Sequence, residues 1–504
     1  MRRGDEHRRF FTKGKDALKS GDVTPGVHDT IVAISTAMSD AGIGIVRISG
    51  PDAVAVADRI VVNARREHDL RERKTATIRF GYVVNGEGGV LDQALVSVFL
   101  APHSYTGEDT VEINVHGGHL VTEETLSLLL KSGKQKGVRG TVRVAQPGEF
   151  TRRAFFNGKM DLTQAEAVQD LISANSRFAM KNAAEQLSGR LKERLQSMRE
   201  ALLHETAFLE AALDDPDVYG EELSSHGEKL KAVIGDLRQK TKEMLSTYEE
   251  GALRKNGIRC AIIGPVNAGK SSLLNALSGR EKAIVSALPG TTRDIIEVSV
   301  QMREVLLHFS DTAGLRKTAD PVEHEGVLRA REEAKEADIV LLLLDMEKPG
   351  EEGVKETLRT LKEKPLIAVL TKADLYDEQK REAAQRVLKR MLEEEGLSRT
   401  PSEVISSVTG EGMDELKERI LQRLRIDRIV PREDFYLTSA RHKEALSEAE
   451  ESLRLAEDAI AQKTPEDLYL SDLMDAYRAF SAILGEAVEE DLIDKIFRDF
   501  CMGK

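Results

Sequence analysis

The stretch IRCAIIGPVNAGKSSLLNALSG, Ile258–Gly279, decides the reading of the chain. An apolar run of strand length ends in GPVNAGKS, Gly264–Ser271, and gives way to Leu273, Leu274 and Leu277 at helical spacing. Strand, glycine-rich loop and helix in that order are the context a phosphate-binding loop requires. Glycines let backbone N–H groups wrap a polyphosphate, so Asn267, Ala268, Gly269, Lys270, Ser271 and Ser272 are candidate nucleotide contacts. Lys270 is expected to reach the β- and γ-phosphates, and the Ser271 hydroxyl to ligate Mg²⁺.

Further elements follow in a fixed order. DTAG, Asp311–Gly314, comes after the apolar run VLLHFS; Asp311 suits the Mg²⁺ shell, Gly314 can donate its N–H to the γ-phosphate, and Thr312 and Ala313 lie between them. PGTTRD, Pro289–Asp294, precedes that run and offers Thr292 as the residue that closes over Mg²⁺. TKAD, Thr371–Asp374, follows LIAVL. Asp374 would accept from the N1–H and exocyclic amine of guanine, with Thr371 and Lys372 beside it. Adenine lacks that donor pair, so discrimination of about 10⁴-fold is within reach. ISSVTGEG, Ile405–Gly412, braces the base from the other side. The pattern implies GTP as substrate. Leu315 stands directly after DTAG, where a water-orienting Gln is frequent, so another group must orient the attacking water. Arg293 and Arg316 are read as switch residues rather than as arginine fingers.

Outside this block the texture changes twice. With 504 residues, about three domains of roughly 150 residues are expected. Hydrophobic residues at 40% and charged residues at 32% exclude a disordered or collagen-like chain. A net charge of −13 argues against a surface that is basic throughout, and two cysteines exclude a disulfide framework and fit a reducing compartment. No apolar run approaches a membrane span, and a cytoplasmic location is expected. Residues 1–27 read as a disordered extension; Asp5, Glu6 and Asp16 count against a transit peptide. Residues 28–149 carry DTIVAIS, GIGIVRIS, ALVSVFL, TVEINVH and TVRVAQ as strands, with helices near 52–62 and 122–131, an α+β domain. Residues 150–252 and 428–504 are helical, and 253–427 form an α/β block expected to hold a parallel sheet. The simplest architecture is a multidomain chain whose all-α domain is interrupted by an inserted α/β P-loop GTPase domain; two unrelated helical domains are the alternative.

SYTGEDTVEINVHGG (Ser104–Gly118), PGEFTRRAFFNGKMDLTQAEAVQDLI (Pro147–Ile172) and FCMGK (Phe500–Lys504) add a second signature. With these the chain resembles the MnmE (TrmE) family of tRNA-modification GTPases from about Asp29 to Lys504. The resemblance implies a homodimer that joins an FAD-containing partner, MnmG, as a heterotetramer. The pair would add an aminomethyl or carboxymethylaminomethyl group at carbon 5 of the tRNA wobble uridine. A one-carbon donor, 5-formyl- or methylene-tetrahydrofolate, would be held by Arg47, Glu112, Lys159 and Lys504. It further implies K⁺-dependent pairing of the G domains, with Asn267, Ser286, Leu288 and Thr291 as K⁺ ligands. Ser286 and Thr291 then also line the nucleotide, and Glu323 joins Lys270 as catalytic by positioning the water. Cys501 is a candidate nucleophile or simply a packed thiol.

Two departures from the family stand out: Thr371 occupies a position where Asn is usual, and LGEAVEEDLIDKIF is shorter than the corresponding segment. His116 and His119 flank a glycine pair without a third ligand cluster, and basic residues from Arg152 to Arg194 are diluted by acids. A regulatory GTPase of ribosome assembly is the alternative function.

Overall fold

A computed structural model describes residues 29–265, 267–280, 284–286, 297–302, 305–310, 334, 336–350, 353–424, 435–486, 490–498, 500 and 503. It divides into two compact units, one of residues 1–172, 184–242 and 444–504, the other of residues 173–183 and 243–443.

The first unit holds a seven-stranded mixed sheet. Its strands are β1 (Thr30–Ile34), β2 (Ala41–Ser49), β3 (Val61–Val62), β4 (Thr77–Val84), β5 (Val90–Phe99), β6 (Thr110–Gly117) and β7 (Val142–Val144). They lie in the order β3-β4-β5-β6-β2-β1-β7, antiparallel except for the β1–β7 pair. Strand alternation sends Val32, Val46, Ile48, Val96, Val98, Val111 and Ile113 to one face, where Leu129 of helix His119–Gly133 and Ala53, Val56 and Ala57 of helix Ala53–Asp58 cover them. Complete burial of each such Val, Ile or Leu side chain contributes roughly 1.5–3 kcal/mol. Ile31, Ala33, Ala145 and Phe150 form a smaller core.

Two elements differ from expectation here. The helix expected near 52–62 stops at Asp58, and Val61–Val62 turns into β3. The buried Asp58 carboxylate accepts the Leu70 N–H at 2.8 Å, a contact that fixes the turn instead of another helical repeat. TIRFGYVV forms the full strand β4, not anticipated because Arg79 and Gly81 interrupt its apolar pattern.

Helix Arg190–Asp214 buries Leu191, Leu195, Met198, Leu202 and Leu209 along one stripe, which packs on helix Glu466–Leu484. Gly189, at φ +94°, caps its start. The PGEF turn meets the C-terminal helix Glu490–Arg498: Gly148 has φ +68°, and a Cβ there would lie 2.6 Å from Phe497 O. Only glycine fits that approach.

The second unit carries β8 (Ile258–Ile263), β9 (Ile284–Ser286), β10 (Glu297–Met302), β11 (Val305–Ser310), β12 (Ile339–Asp345), β13 (Leu366–Thr371) and β14 (Ser402–Val404). Their order is β14-β13-β12-β8-β11-β10-β9. Five strands are parallel, as the continuous apolar runs require, but β10 pairs antiparallel with both β11 and β9. The parallel sheet expected from the sequence is present in these five strands, and β10 adds an antiparallel element that the apolar pattern does not reveal. A six-residue strand beside a two-residue gap to β11 has room for a hairpin but not for a crossover helix. Both faces are buried, one around Phe309, Leu341 and Leu273, the other around Leu342, Ala368 and Leu388. Strand β8 lies between β12 and β11, so the loop that leaves its carboxyl end enters the crevice where strand order reverses.

Candidate functional site

In the second unit the phosphate loop joins β8 to helix Lys270–Arg280. Gly264 is obligatory, since a Cβ would lie 2.2 Å from Leu343 O. Asn267 and Gly269 take left-handed backbone, at φ +65° and +89°. Alternation of this kind turns successive amides toward a common concavity, the geometry that holds anions. Lys270 Nζ lies 2.7 Å from Gly264 O and 2.8 Å from Pro265 O, so its ammonium sits over the loop. Ser271 and Ser272 follow in the first helical turn, where the N-terminal dipole favours phosphate. A lysine, a nest of amides and a hydroxyl at the helix start form a donor set that suits a Mg²⁺–nucleotide.

The base loop leaves β13. Thr371 is 2% exposed and its hydroxyl donates to Ala268 O of the phosphate loop at 2.8 Å. Lys372 is left-handed, φ +65°, and its Nζ pairs with Asp345 Oδ2 at 2.6 Å. That hydrogen bond raises the Lys372 ammonium above its ordinary value. At Asp345, burial pushes the carboxyl up, but the Lys372 ammonium and the Glu347 N–H outweigh it and hold it low. Asp374 Oδ1 accepts the Ser406 hydroxyl at 2.5 Å, and that same hydroxyl oxygen accepts the Thr409 N–H at 3.1 Å. Ser406 thus ties the ISSVTGEG loop to the carboxylate expected to read guanine. Sequence reasoning places the loop there but does not single out Ser406 or Asp345, because nothing in their local sequence marks the pairing.

In the first unit β2 and β6 set Arg47 directly opposite Glu112. Arg47 Nε donates to Glu112 Oε1 at 2.9 Å and Nη2 lies 2.8 Å from the same oxygen. The guanidinium lies 5.7 Å from the Tyr105 ring centroid and 5.5 Å from that of Phe150. Tyr105 is fixed by a 2.9 Å bond between its hydroxyl and Thr151 Oγ1, and burial pushes its phenol pKa up. Gly503 O accepts from Ser35 Oγ at 3.2 Å and from Arg47 Nη1 at 3.4 Å. A carboxylate that accepts, a guanidinium that donates and two aromatic rings are a combination that suits a flat heterocycle with amino and carbonyl edges. Lys159 borders the loop that carries Tyr105: its Nζ donates to Pro102 O at 3.0 Å and its stem passes Gly107.

Leu288, Thr291, Thr292, Asp311, Thr312, Ala313, Gly314, Glu323, Cys501 and Lys504 lie outside the described residues, and Ser286 is described only as the end of β9. Of the basic residues at the start of the helical region, Arg153 is engaged by Asp29, Glu108 and Glu149, Lys192 by Asp161 and Arg190 by Glu185. His116 pairs with Asp92 and His119 with Glu123, and the described residues contain no cluster of three or more metal-ligating side chains. Cys260 is buried in β8 and its thiol is pushed up by that burial. Among the described residues no helix is long and apolar enough to cross a membrane.

The chain matches the family model of the GTP-binding protein TrmE N-terminus over residues 30–159 and that of the MnmE helical domain over residues 162–501. The second match brackets the whole α/β unit, as an insertion requires. The tRNA modification GTPase MnmE of Lachnoclostridium phytofermentans is 41% identical over 480 residues, 94% of this chain and 99% of its own. That of Moorella thermoacetica is 39% identical over 481 residues, 95% of this chain and 100% of its own. Among solved structures, a variant of Aquifex aeolicus Era bound to GDP·AlF4⁻ is 26% identical over 39% of this chain and 67% of that one, with a TM-score of 0.27. A phosphate loop braced to a base loop, a second site built on Arg47 and Glu112, and likeness along almost the whole chain converge, and the chain belongs to the MnmE family of tRNA-modification GTPases.

Proposed function

We propose that this GTPase drives wobble-uridine modification of tRNA, adding an aminomethyl or carboxymethylaminomethyl group at carbon 5 together with an FAD-containing partner of the MnmG type. The observation that carries the reading is the coexistence in one chain of the Lys270 phosphate loop and the Arg47–Glu112 site, under a likeness that spans 94% of the chain. Lys270 neutralises charge on the β- and γ-phosphates, the amides from Asn267 to Ser271 hold them, and Asp374, steadied by Ser406, accepts from the guanine edge. Glu323 orients the attacking water, the duty for which Leu315 has no polar group. Mg²⁺, held through Ser271 and Thr292 with Asp311 near, supplies charge compensation across the phosphates. K⁺, ligated by Asn267, Ser286, Leu288 and Thr291, supplies the positive charge that an arginine finger brings elsewhere.

In the first unit, Glu112 accepts from the amino-pyrimidinone edge of a tetrahydrofolate, while Arg47 holds that carboxylate in place through its 2.8 Å contact. Lys159 and Lys504 meet the acidic tail of the same ligand. Tetrahydrofolate supplies the one-carbon unit. The protein works as a homodimer in the cytoplasm.

The test is mass spectrometry of tRNA nucleosides from a strain lacking the gene, complemented with the wild type or with Lys270→Ala. Loss of the modified uridine, restored by the wild type only, is the expected result. Unchanged wobble uridine in the deletion strain overturns the proposal and points to a ribosome-assembly switch.

A further inference from the structure

One hydrogen bond ties the base loop to the phosphate loop. Thr371 ends β13, and its hydroxyl donates to Ala268 O at 2.8 Å, with Leu344 O a more distant acceptor at 3.3 Å. A hydroxyl carries one hydrogen, and here it is spent on the protein. The side chain is 2% exposed and Ala268 is 1% exposed, so water is a poor substitute for either partner. The trans peptide plane holds C=O and N–H on opposite sides. With Ala268 O turned toward Thr371, the N–H of Gly269 points away from it. Gly269 itself, at φ +89°, presents its missing side chain to Thr371: a Cβ there would lie 3.7 Å from the Thr371 Oγ1.

We propose that Thr371 acts on the phosphate loop and not on the base. It is a positioning residue that locks the Ala268–Gly269 peptide so that the Gly269 amide serves the nucleotide's β-phosphate, and guanine N7 goes unread. Base discrimination then falls to the Watson–Crick edge through Asp374. This rests on the guanine-nucleotide reading above.

The experiment uses the full chain with Mg²⁺ and titrates GDP, GMP, 7-deaza-GDP and ADP by calorimetry into wild type, Thr371→Val and Thr371→Ser. The valine is nearly isosteric and lacks the donor; the serine keeps it. For the wild type, 7-deaza-GDP is expected to bind within about 2-fold of GDP. In Thr371→Val the GDP affinity is expected to fall about 5- to 10-fold, the size of one neutral hydrogen bond, with GMP affected less than about 2-fold. Thr371→Ser is expected to recover the GDP affinity. A wild-type preference for GDP over 7-deaza-GDP of more than about 5-fold overturns the proposal, and that measurement needs no variant. Equal weakening of GDP and GMP by Thr371→Val, or none at all, overturns it too. If ADP binds as tightly as GDP, the guanine reading fails instead, while the GDP-to-GMP ratio still reports on Thr371.

Discussion

The two candidate sites are built in opposite ways. The phosphate loop holds its ligand with backbone: eight consecutive residues, Gly264–Ser271, bring amides together through left-handed turns at Asn267 and Gly269. The Arg47 site is built from side chains of β2, β6, the loop at Tyr105 and helix Glu149–Phe156, with the backbone carbonyl of Gly503 beside them. A backbone site tolerates substitution at most of its positions and depends on a few glycines and one lysine. A side-chain site depends on the register of every strand that feeds it, and on half-buried charges that must stay paired.

The largest effect is expected where the backbone site has its only strong charge. Lys270→Ala should lower kcat/KM for GTP hydrolysis by about 10³-fold or more, while leaving folate affinity within about 2-fold of the wild-type value. Coupled loss of folate binding would break the separation of the two sites. Glu323→Ala is expected to retain GTP binding and lose hydrolysis by about 10²–10³-fold in single-turnover assays; turnover near wild type would remove Glu323 from the mechanism.

In the side-chain site, Arg47→Ala should weaken 5-formyl-tetrahydrofolate by about 10- to 100-fold in calorimetry and leave GTP hydrolysis unchanged.

A subtler effect concerns pH. Burial raises the Glu149 carboxyl, but hydrogen bonds from Arg143 and the Gln146 N–H, with the charge of Arg153, more than reverse that and hold it low. A depressed carboxyl stabilises the fold fully above its unfolded value of about 4.3. That stability is lost as pH falls through the lower folded value. Chemical denaturation followed by circular dichroism should therefore show a midpoint that drops on acidification. Glu149→Gln should be destabilised by roughly 1–3 kcal/mol at neutral pH and show a flatter acid limb. An unchanged acid limb would mean that the Asp29, Arg143 and Arg153 network, not Glu149, sets the acid response.

The smallest effect is expected from Gly503→Ala. Gly503 has φ +84°, and a Cβ there would lie 2.5 Å from Ile34 O. Loosening of this contact by about 1 kcal/mol should appear as faster hydrogen exchange of the C-terminal segment with global stability unchanged.

What is legible in the sequence follows the same division. The phosphate loop can be read from eight adjacent letters because its chemistry is local. The Arg47–Glu112 pair cannot be read from strand patterns: the residues are 65 positions apart, and only the β2–β6 register sets them opposite each other. It enters through family likeness alone. Thr371 is legible as part of a base-reading motif, but the direction of its hydroxyl, toward a carbonyl 103 residues earlier, is not. Strand β3 merges into an expected helix because AVAVADRIVV is apolar along most of its length, and the buried Asp58 carboxylate that ends the helix finds its partner at Leu70. The antiparallel β10 escapes notice because parallel and antiparallel strands share one apolar pattern until their connections are known.

The contact between Arg47 and Gly503 spans 456 residues. At about 5–20 residues per second, Arg47 leaves the ribosome roughly 25–90 seconds before its carbonyl acceptor has been made. Glu112 arrives within a fraction of that time and keeps the charge partnered during the wait. A nascent chain stalled anywhere in the GTPase insertion would thus own a complete N-terminal sheet and an unfinished Arg47 site. Synthesis interrupted late yields a molecule with its phosphate loop in place yet without the carbonyl that completes the Arg47 site.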